Sequence, residues 1–154
     1  MKILFFSDLK TGIERLEKRI RESVKQVARC DVLDDKFFLE EIQPEVSPPY
    51  DLVLSSYCLE AASPTFEDFI QVLKRINKLM RTGGRLLLAG CLQGQKWRIK
   101  ETDFTDFQHI QINDEDVKKA LKESGFGIID IKTYGKLNVD YEHEGWYVLV
   151  AEKM

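Results

Sequence analysis

The sequence predicts a doubly wound α/β domain on a mostly parallel sheet, with its last two strands forming an antiparallel pair at one edge. Three observations predict it. Amphipathic helical stripes alternate with short apolar runs, two of those runs are near-continuous rather than alternating, and the strand–helix–strand order calls for parallel crossovers. The chain has 154 residues, 44% of them hydrophobic and 32% charged, with 23 Lys and Arg against 26 Asp and Glu. That suffices for one hydrophobic core and not for two, so residues 1–154 are read as a single domain. A formal charge of −3 leaves no electrostatic footprint for nucleic acid, and no apolar run approaches the length of a membrane span.

The opening run Met1–Phe6 is too short for a signal-peptide core and is halted by Ser7-Asp8. A first helix places Ile13, Leu16, Ile20, Val24 and Val27 on one stripe, with Arg and Glu opposite. The segment from Gln43 to Pro49 is a loop, because proline removes backbone donors. The run from Asp51 to Ser55 follows as a strand. A second helix spans about Thr65 to Met80, with Phe66, Phe69, Ile70, Leu73 and Ile76 at helical spacing. Ser63 is its expected N-cap, Pro64 suits the first turn, and Thr82-Gly83-Gly84 is its expected stop. The run from Arg85 to Ala89 is the next strand. A third helix starts near Asn113-Asp114, turns Val117, Ala120 and Leu121 inward and stops at Gly125. The runs Gly127–Ile131 and Trp146–Ala151 form the closing antiparallel pair.

Without an export signal, Cys30, Cys58 and Cys91 are expected as thiols in a reducing, cytoplasmic setting. They lack metal-ligand spacing, and His109 and His143 lie far apart, so no metal site is expected. Cys58 and Cys91 read as small buried packing residues. His143 reads as a solvated loop residue, and Trp97 as a pocket wall or a lid on the core.

In a doubly wound sheet, ligands bind beyond the carboxyl ends of the strands. Three exits matter: Cys30-Asp31-Val32, the segment Ser55-Ser56-Tyr57-Cys58-Leu59-Glu60, and Gly90-Cys91-Leu92-Gln93. An acid directly after a strand accepts hydrogen bonds from an amine or a ribose hydroxyl, and the small residues at Gly90 allow a close approach to backbone. The plainer alternatives are a solvated turn for Asp31 and a surface acid ahead of Ser63 for Glu60.

These residues also carry a family resemblance. Cys30-Asp31-Val32, the run Leu54–Pro64 (with Cys58-Leu59-Glu60-Ala61), Leu79-Met80-Arg81-Thr82-Gly83-Gly84-Arg85-Leu86-Leu87-Leu88, Asp114-Glu115-Asp116-Val117 and Glu144-Gly145-Trp146-Tyr147 resemble one family in order and near-family spacing. It comprises the nicotinamide, phenylethanolamine and indolethylamine N-methyltransferases, which use S-adenosylmethionine. The resemblance implies an incomplete Rossmann-like, class I methyltransferase fold. It also implies a cofactor end at Asp31, for the adenine amino group, and at Val32, whose backbone meets the ring edge, with Ser55 and Ser56 at the neighbouring strand exit. Glu60 falls where the phenylethanolamine enzymes of the family place a carboxylate that holds the substrate amine, and Tyr141-Glu142-His143-Glu144 matches a loop bordering the acceptor pocket.

The departures from the family matter as much. The glycine-rich loop around the methionine part of the cofactor has no counterpart, nor does the acid that grips the ribose, nor an N-terminal tyrosine-bearing lid. After Leu88 the chain reads Gly90-Cys91-Leu92-Gln93-Gly94-Gln95, without the carboxylate that orients the acceptor in several members. The family sheet also places two further strands beside the one at Asp51, for which Met1–Phe6 is the candidate substitute. Methyl transfer to a neutral nitrogen needs both reactants held in line, so the chain is expected to bind S-adenosylmethionine poorly or not at all. The expectation is a truncated, impaired N-methyltransferase of small amines or nicotinamide-like acceptors, self-associating through open sheet edges. The rival expectation is a non-catalytic interaction module on the same scaffold.

Overall fold

The computed structural model describes residues 6–36, 39–94, 96–98, 106–108, 110–135 and 144–154. In chain order the elements are α1 (Phe6–Ser23), a 3-10 turn (Pro44–Val46), β1 (Tyr50–Ser56), α2 (Leu59–Ala62), α3 (Phe66–Leu79), β2 (Met80–Leu92), β3 (Lys96–Arg98), β4 (Asp106–Gln108), α4 (Asp114–Glu123), β5 (Phe126–Gly135) and β6 (Gly145–Lys153). The main sheet has the order β1-β2-β6-β5, and β3 pairs with β4 in a separate two-stranded ribbon.

The α/β class stands, but the parallel share of the sheet is smaller than predicted. Among the described residues only β1–β2 is parallel, in the register Val53 to Leu86 and Ser55 to Leu88. The pairings β2–β6 and β5–β6 are antiparallel. No strand forms around Cys30-Asp31-Val32 among the described residues; the segment after α1 is irregular, and its side contacts replace a ladder. Phe6 opens α1 rather than ending a strand, and residues 1–5 of the proposed substitute strand lie outside the described residues.

Helix α3 runs Phe66–Leu79, close to the expected span, but its cap lies two residues after the expected Ser63. Its N-cap is Thr65, which accepts from the Asp68 N–H at 3.1 Å while the Asp68 carboxylate accepts from the Thr65 N–H at 3.1 Å. This reciprocal box satisfies two donors at once, which a Ser63 cap could not do. Ser63 instead closes α2, its hydroxyl donating to the Leu59 carbonyl at 2.7 Å. Asn113 and Asp116 make the same box on α4. Gly125 follows α4 with φ +79°, a conformation that favours glycine.

One face of the sheet is covered. Phe69, Val72, Leu73 and Ile76 of α3 and Val117, Ala120 and Leu121 of α4 pack on Leu86, Leu88, Tyr147, Leu149 and Ala151. The opposite face is thinly covered: Leu52, Leu54 and Val148 are exposed. The α1 stripe also finds no core. Ile13, Leu16 and Ile20 are more than half exposed, and Val24 and Val27 fall beyond the helix end.

Candidate functional site

Glu60 is set by the turn that leaves β1. Tyr57 takes a left-handed φ of 52°, and its N–H donates to the Ala89 carbonyl at 2.8 Å, which fixes the chain's exit against β2. The first turn of α2 then points the Glu60 side chain beneath the sheet end, where only 1% of the residue is accessible. Its Oε1 accepts from the Cys91 N–H at 2.8 Å. Its Oε2 is buried without a hydrogen-bond partner among the described residues, as is the Tyr147 hydroxyl. Burial pushes the Glu60 carboxyl above the ordinary carboxylate range, and the N–H groups of Glu60 and Cys91 offset part of that rise. Tyr147 is held up for the same reason, with the Glu60 charge adding to it.

Gly90 makes this arrangement possible. It stands directly across from Tyr147 in the β2–β6 ladder. A β-carbon there would lie 2.6 Å from both Glu60 Oε1 and the Tyr147 hydroxyl. The close approach expected at Gly90 therefore exists, but side chains of the protein itself make it. Cys91, half-buried, has its thiol pushed up to about 11 by burial and then by Glu60.

The predicted cofactor residues gather differently. Val32 and Ser55 line one cleft of about 380 Å³ with Leu52, Leu54, Cys58, Leu59 and Ile76. Ser55 shares the covered face with Val53, whereas Ser56 points to the other face and is exposed. Asp31 is exposed beside that cleft, and its Oδ1 accepts from the Leu33 N–H at 2.9 Å, so it also builds a turn. Arg75 fastens this loop to α3, donating to the Val32 carbonyl at 3.3 Å and to Asp35 Oδ1 at 2.6 Å. Cys30 has its thiol raised by burial, then by Cys58 and Asp31 nearby.

Cys58 is exposed and Cys91 only half-buried, so neither is the fully buried packing residue expected; both sit near a strand exit. Tyr141, Glu142, His143, His109 and Gln95 lie outside the described residues, as does the Trp97 side chain. Sequence reasoning missed Tyr147 as a polar neighbour of Glu60. The alternation of Tyr147, Leu149 and Ala151 toward the core carried that signal. Among the described residues no group of three His, Cys, Asp or Glu could hold a metal ion, and no helix is long and apolar enough to cross a membrane.

Solved S-adenosylmethionine-dependent methyltransferases share this fold. A methyltransferase from Methanosarcina mazei superposes with a TM-score of 0.58 at 15% identity, over 70% of this chain and 61% of that one. The 1,6-didemethyltoxoflavin-N1-methyltransferase of Burkholderia thailandensis, solved with S-adenosylhomocysteine, superposes at 0.59 and 19% identity, over 92% of this chain and 56% of that one. These define a class I methyltransferase fold. Within that class, the chain belongs to the NNMT/PNMT/TEMT family, which matches residues 8–154. Nicotinamide N-methyltransferase from Homo sapiens is 30% identical over 90% of this chain and 50% of its own length. Phenylethanolamine N-methyltransferase from Homo sapiens is 35% identical over 77% of this chain and 40% of its own. The chain thus spans half or less of the length of these two relatives.

Proposed function

We propose that this chain carries the acceptor side and the adenine end of an S-adenosylmethionine-dependent N-methyltransferase site for small amines or nicotinamide-like nitrogens. The observation that carries the reading is the meeting of Val32 and Ser55 in one cleft, next to the turn that buries Glu60, in a chain of this family. The cleft's volume and its apolar walls suit a flat ring, and Asp31 stands beside it as an acceptor for an exocyclic amine. Ser55 and Ser56 complete the assigned cofactor contacts.

Bound S-adenosylmethionine would supply a methyl group already activated on a sulfonium. The chain's own contribution is alignment and charge. Glu60 is the residue assigned to the acceptor's N–H; with only 1% of it accessible, its Oε2, which lacks a donor among the described residues, meets that N–H only where the cover over it opens. A positive charge developing on nitrogen favours the ionised form of a carboxyl that burial pushes above its ordinary range. Methyl transfer to nitrogen leaves that nitrogen cationic, a charge that an ionised Glu60 would stabilise. The reading includes a cytoplasmic setting, no nucleic-acid or membrane partner, and self-association through an open sheet edge.

The test is a thermal-shift titration of the full chain with S-adenosylmethionine and S-adenosylhomocysteine, alongside Asp31→Ala. Binding to the native state raises the midpoint. The expected result is a weak, saturable rise that shrinks in Asp31→Ala. No rise at all, or a rise indifferent to Asp31, overturns the assignment of the adenine end. A micromolar dissociation constant would overturn the expectation of a weak grip.

A further inference from the structure

We infer that the Tyr147 hydroxyl is the side-chain donor of the ionised Glu60 carboxylate, so that β6 positions this acid from one side while β2 holds it from the other. Its bearing on methyl transfer rests on the acceptor-side reading of Glu60 above; the bond itself does not.

Tyr147 is completely buried, as Glu60 is. Tyr147 stands opposite Gly90 in the β2–β6 ladder. Its hydroxyl and Glu60 Oε1 each lie 2.6 Å from the point where a Gly90 β-carbon would sit, so the two side chains meet beside one glycine. Two polar atoms of this cluster lack a partner among the described residues, Glu60 Oε2 and the Tyr147 hydroxyl. They are complementary. A phenol has one O–H to donate, and an ionised carboxylate only accepts, with room for two donors on each oxygen. A buried polar atom left unmatched is costly, and neighbours of opposite kind remove both costs at once. The terminal torsion of glutamate has a broad profile, so the carboxylate turns toward the phenol with the rest of its chain in place.

The bond is needed when Glu60 ionises, because no cation stands beside it among the described residues. From β2, Cys91 donates its N–H to Oε1 at 2.8 Å, and its thiol, pushed up to about 11, is neutral at neutral pH. From the turn before α2, Tyr57 is held above the ordinary tyrosine range and is neutral too. The segment before α4 reaches the Glu60 carbonyl through the Ile110 N–H at 3.4 Å and brings Ile110, Gln111 and Ile112, none of them charged. Helices α3 and α4 bury apolar side chains only. The ionised carboxylate therefore depends on dipoles, and an O–H bonded to the charged form favours that form. Burial and the Glu60 charge keep Tyr147 in its protonated, donating state.

The experiment combines carbon-13 titration of the Glu60 carboxyl, assigned by its loss in Glu60→Gln, with urea denaturation of wild type, Tyr147→Phe, Glu60→Gln and the double variant. Tyr147→Phe removes one oxygen and keeps the ring, so the core stays filled, which circular dichroism checks. Loss of the donor should raise the Glu60 midpoint by about one pH unit. The Tyr147→Phe penalty on the unfolding equilibrium should grow about tenfold from pH ~4 to pH ~8, since a hydrogen bond to a charged group is the stronger one. In the Glu60→Gln background that penalty should be the same at both pH values. A phenol that only packs would leave the midpoint unmoved and cost the same at every pH. An unmoved or lowered midpoint, a pH-independent penalty, or a penalty that grows equally without the Glu60 charge each overturns the inference. Asp31→Ala should leave the Glu60 midpoint alone, and S-adenosylmethionine takes no part in these readouts. A missing cofactor shift with the pair coupled strikes the methyltransferase reading alone, and an uncoupled pair strikes this inference alone.

Discussion

Glu60 and Tyr147 converge on the backbone of Gly90: a methyl group built there would lie 2.6 Å from the Glu60 carboxylate oxygen and 2.6 Å from the Tyr147 hydroxyl. Both side chains are buried, so neither can swing aside into solvent. Gly90→Ala should therefore cost about 1–3 kcal/mol of stability, as overpacking of a closed site does. Urea denaturation measures it, and an unchanged midpoint would show that the cluster has slack.

The raised carboxyl of Glu60 gives stability a pH dependence. An acid whose folded pKa lies above its unfolded value holds its proton longer in the native state. Its favourable contribution is complete below the ordinary glutamate value of 4.5 and is lost as pH rises through the raised folded value. Glu60→Gln keeps an oxygen for the Cys91 N–H and removes the charge. Wild type should lose stability relative to Glu60→Gln as pH climbs from about 4 toward neutrality. Parallel thermal midpoints across that range would contradict it.

Lys153 closes the end of α3 from a distant strand. Its Nζ donates to the carbonyls of Asn77 and Met80, each at 2.8 Å. Those carbonyls belong to the terminus where the helix dipole favours a cation. Lys153→Met keeps the stem and loses the charge, and should cost about 1–2 kcal/mol in chemical denaturation.

The thiols should separate by reactivity. Cys58 is exposed, whereas the half-buried Cys91 is pushed up to about 11 and stays protonated at mildly alkaline pH. Iodoacetamide should label Cys58 well ahead of Cys91, as followed by peptide mass. Equal labelling rates would show that the Cys91 environment opens in solution.

Much of the fold was legible because periodicity and caps are local. The α3 and α4 stripes, the β1 and β6 runs and the turn at Gly125 all appear where the sequence pattern places them. The capping residue of α3 was misjudged because Ser63 and Thr65 carry the same chemistry, and only the reach to Asp68 separates them. The strand expected before Asp31 did not form, because a strand needs a neighbour, and propensity in Cys30-Asp31-Val32 cannot supply one.

The candidate site divides along the same line. Asp31, Val32, Ser55, Ser56 and Glu60 could be picked out as strand-exit residues, yet their environments could not. Residue order by itself determined which helices and strands form and which side chains could bear chemistry, since spacing and capping act within a few positions. Tertiary structure decided that Glu60 lies sealed against Gly90 and Tyr147 while Asp31 stands in solvent, because burial depends on what other strands bring alongside. It also decided that, among the described residues, Leu52 and Leu54 of β1 lie on the thinly covered face of the sheet, a property no strand can encode without its neighbours.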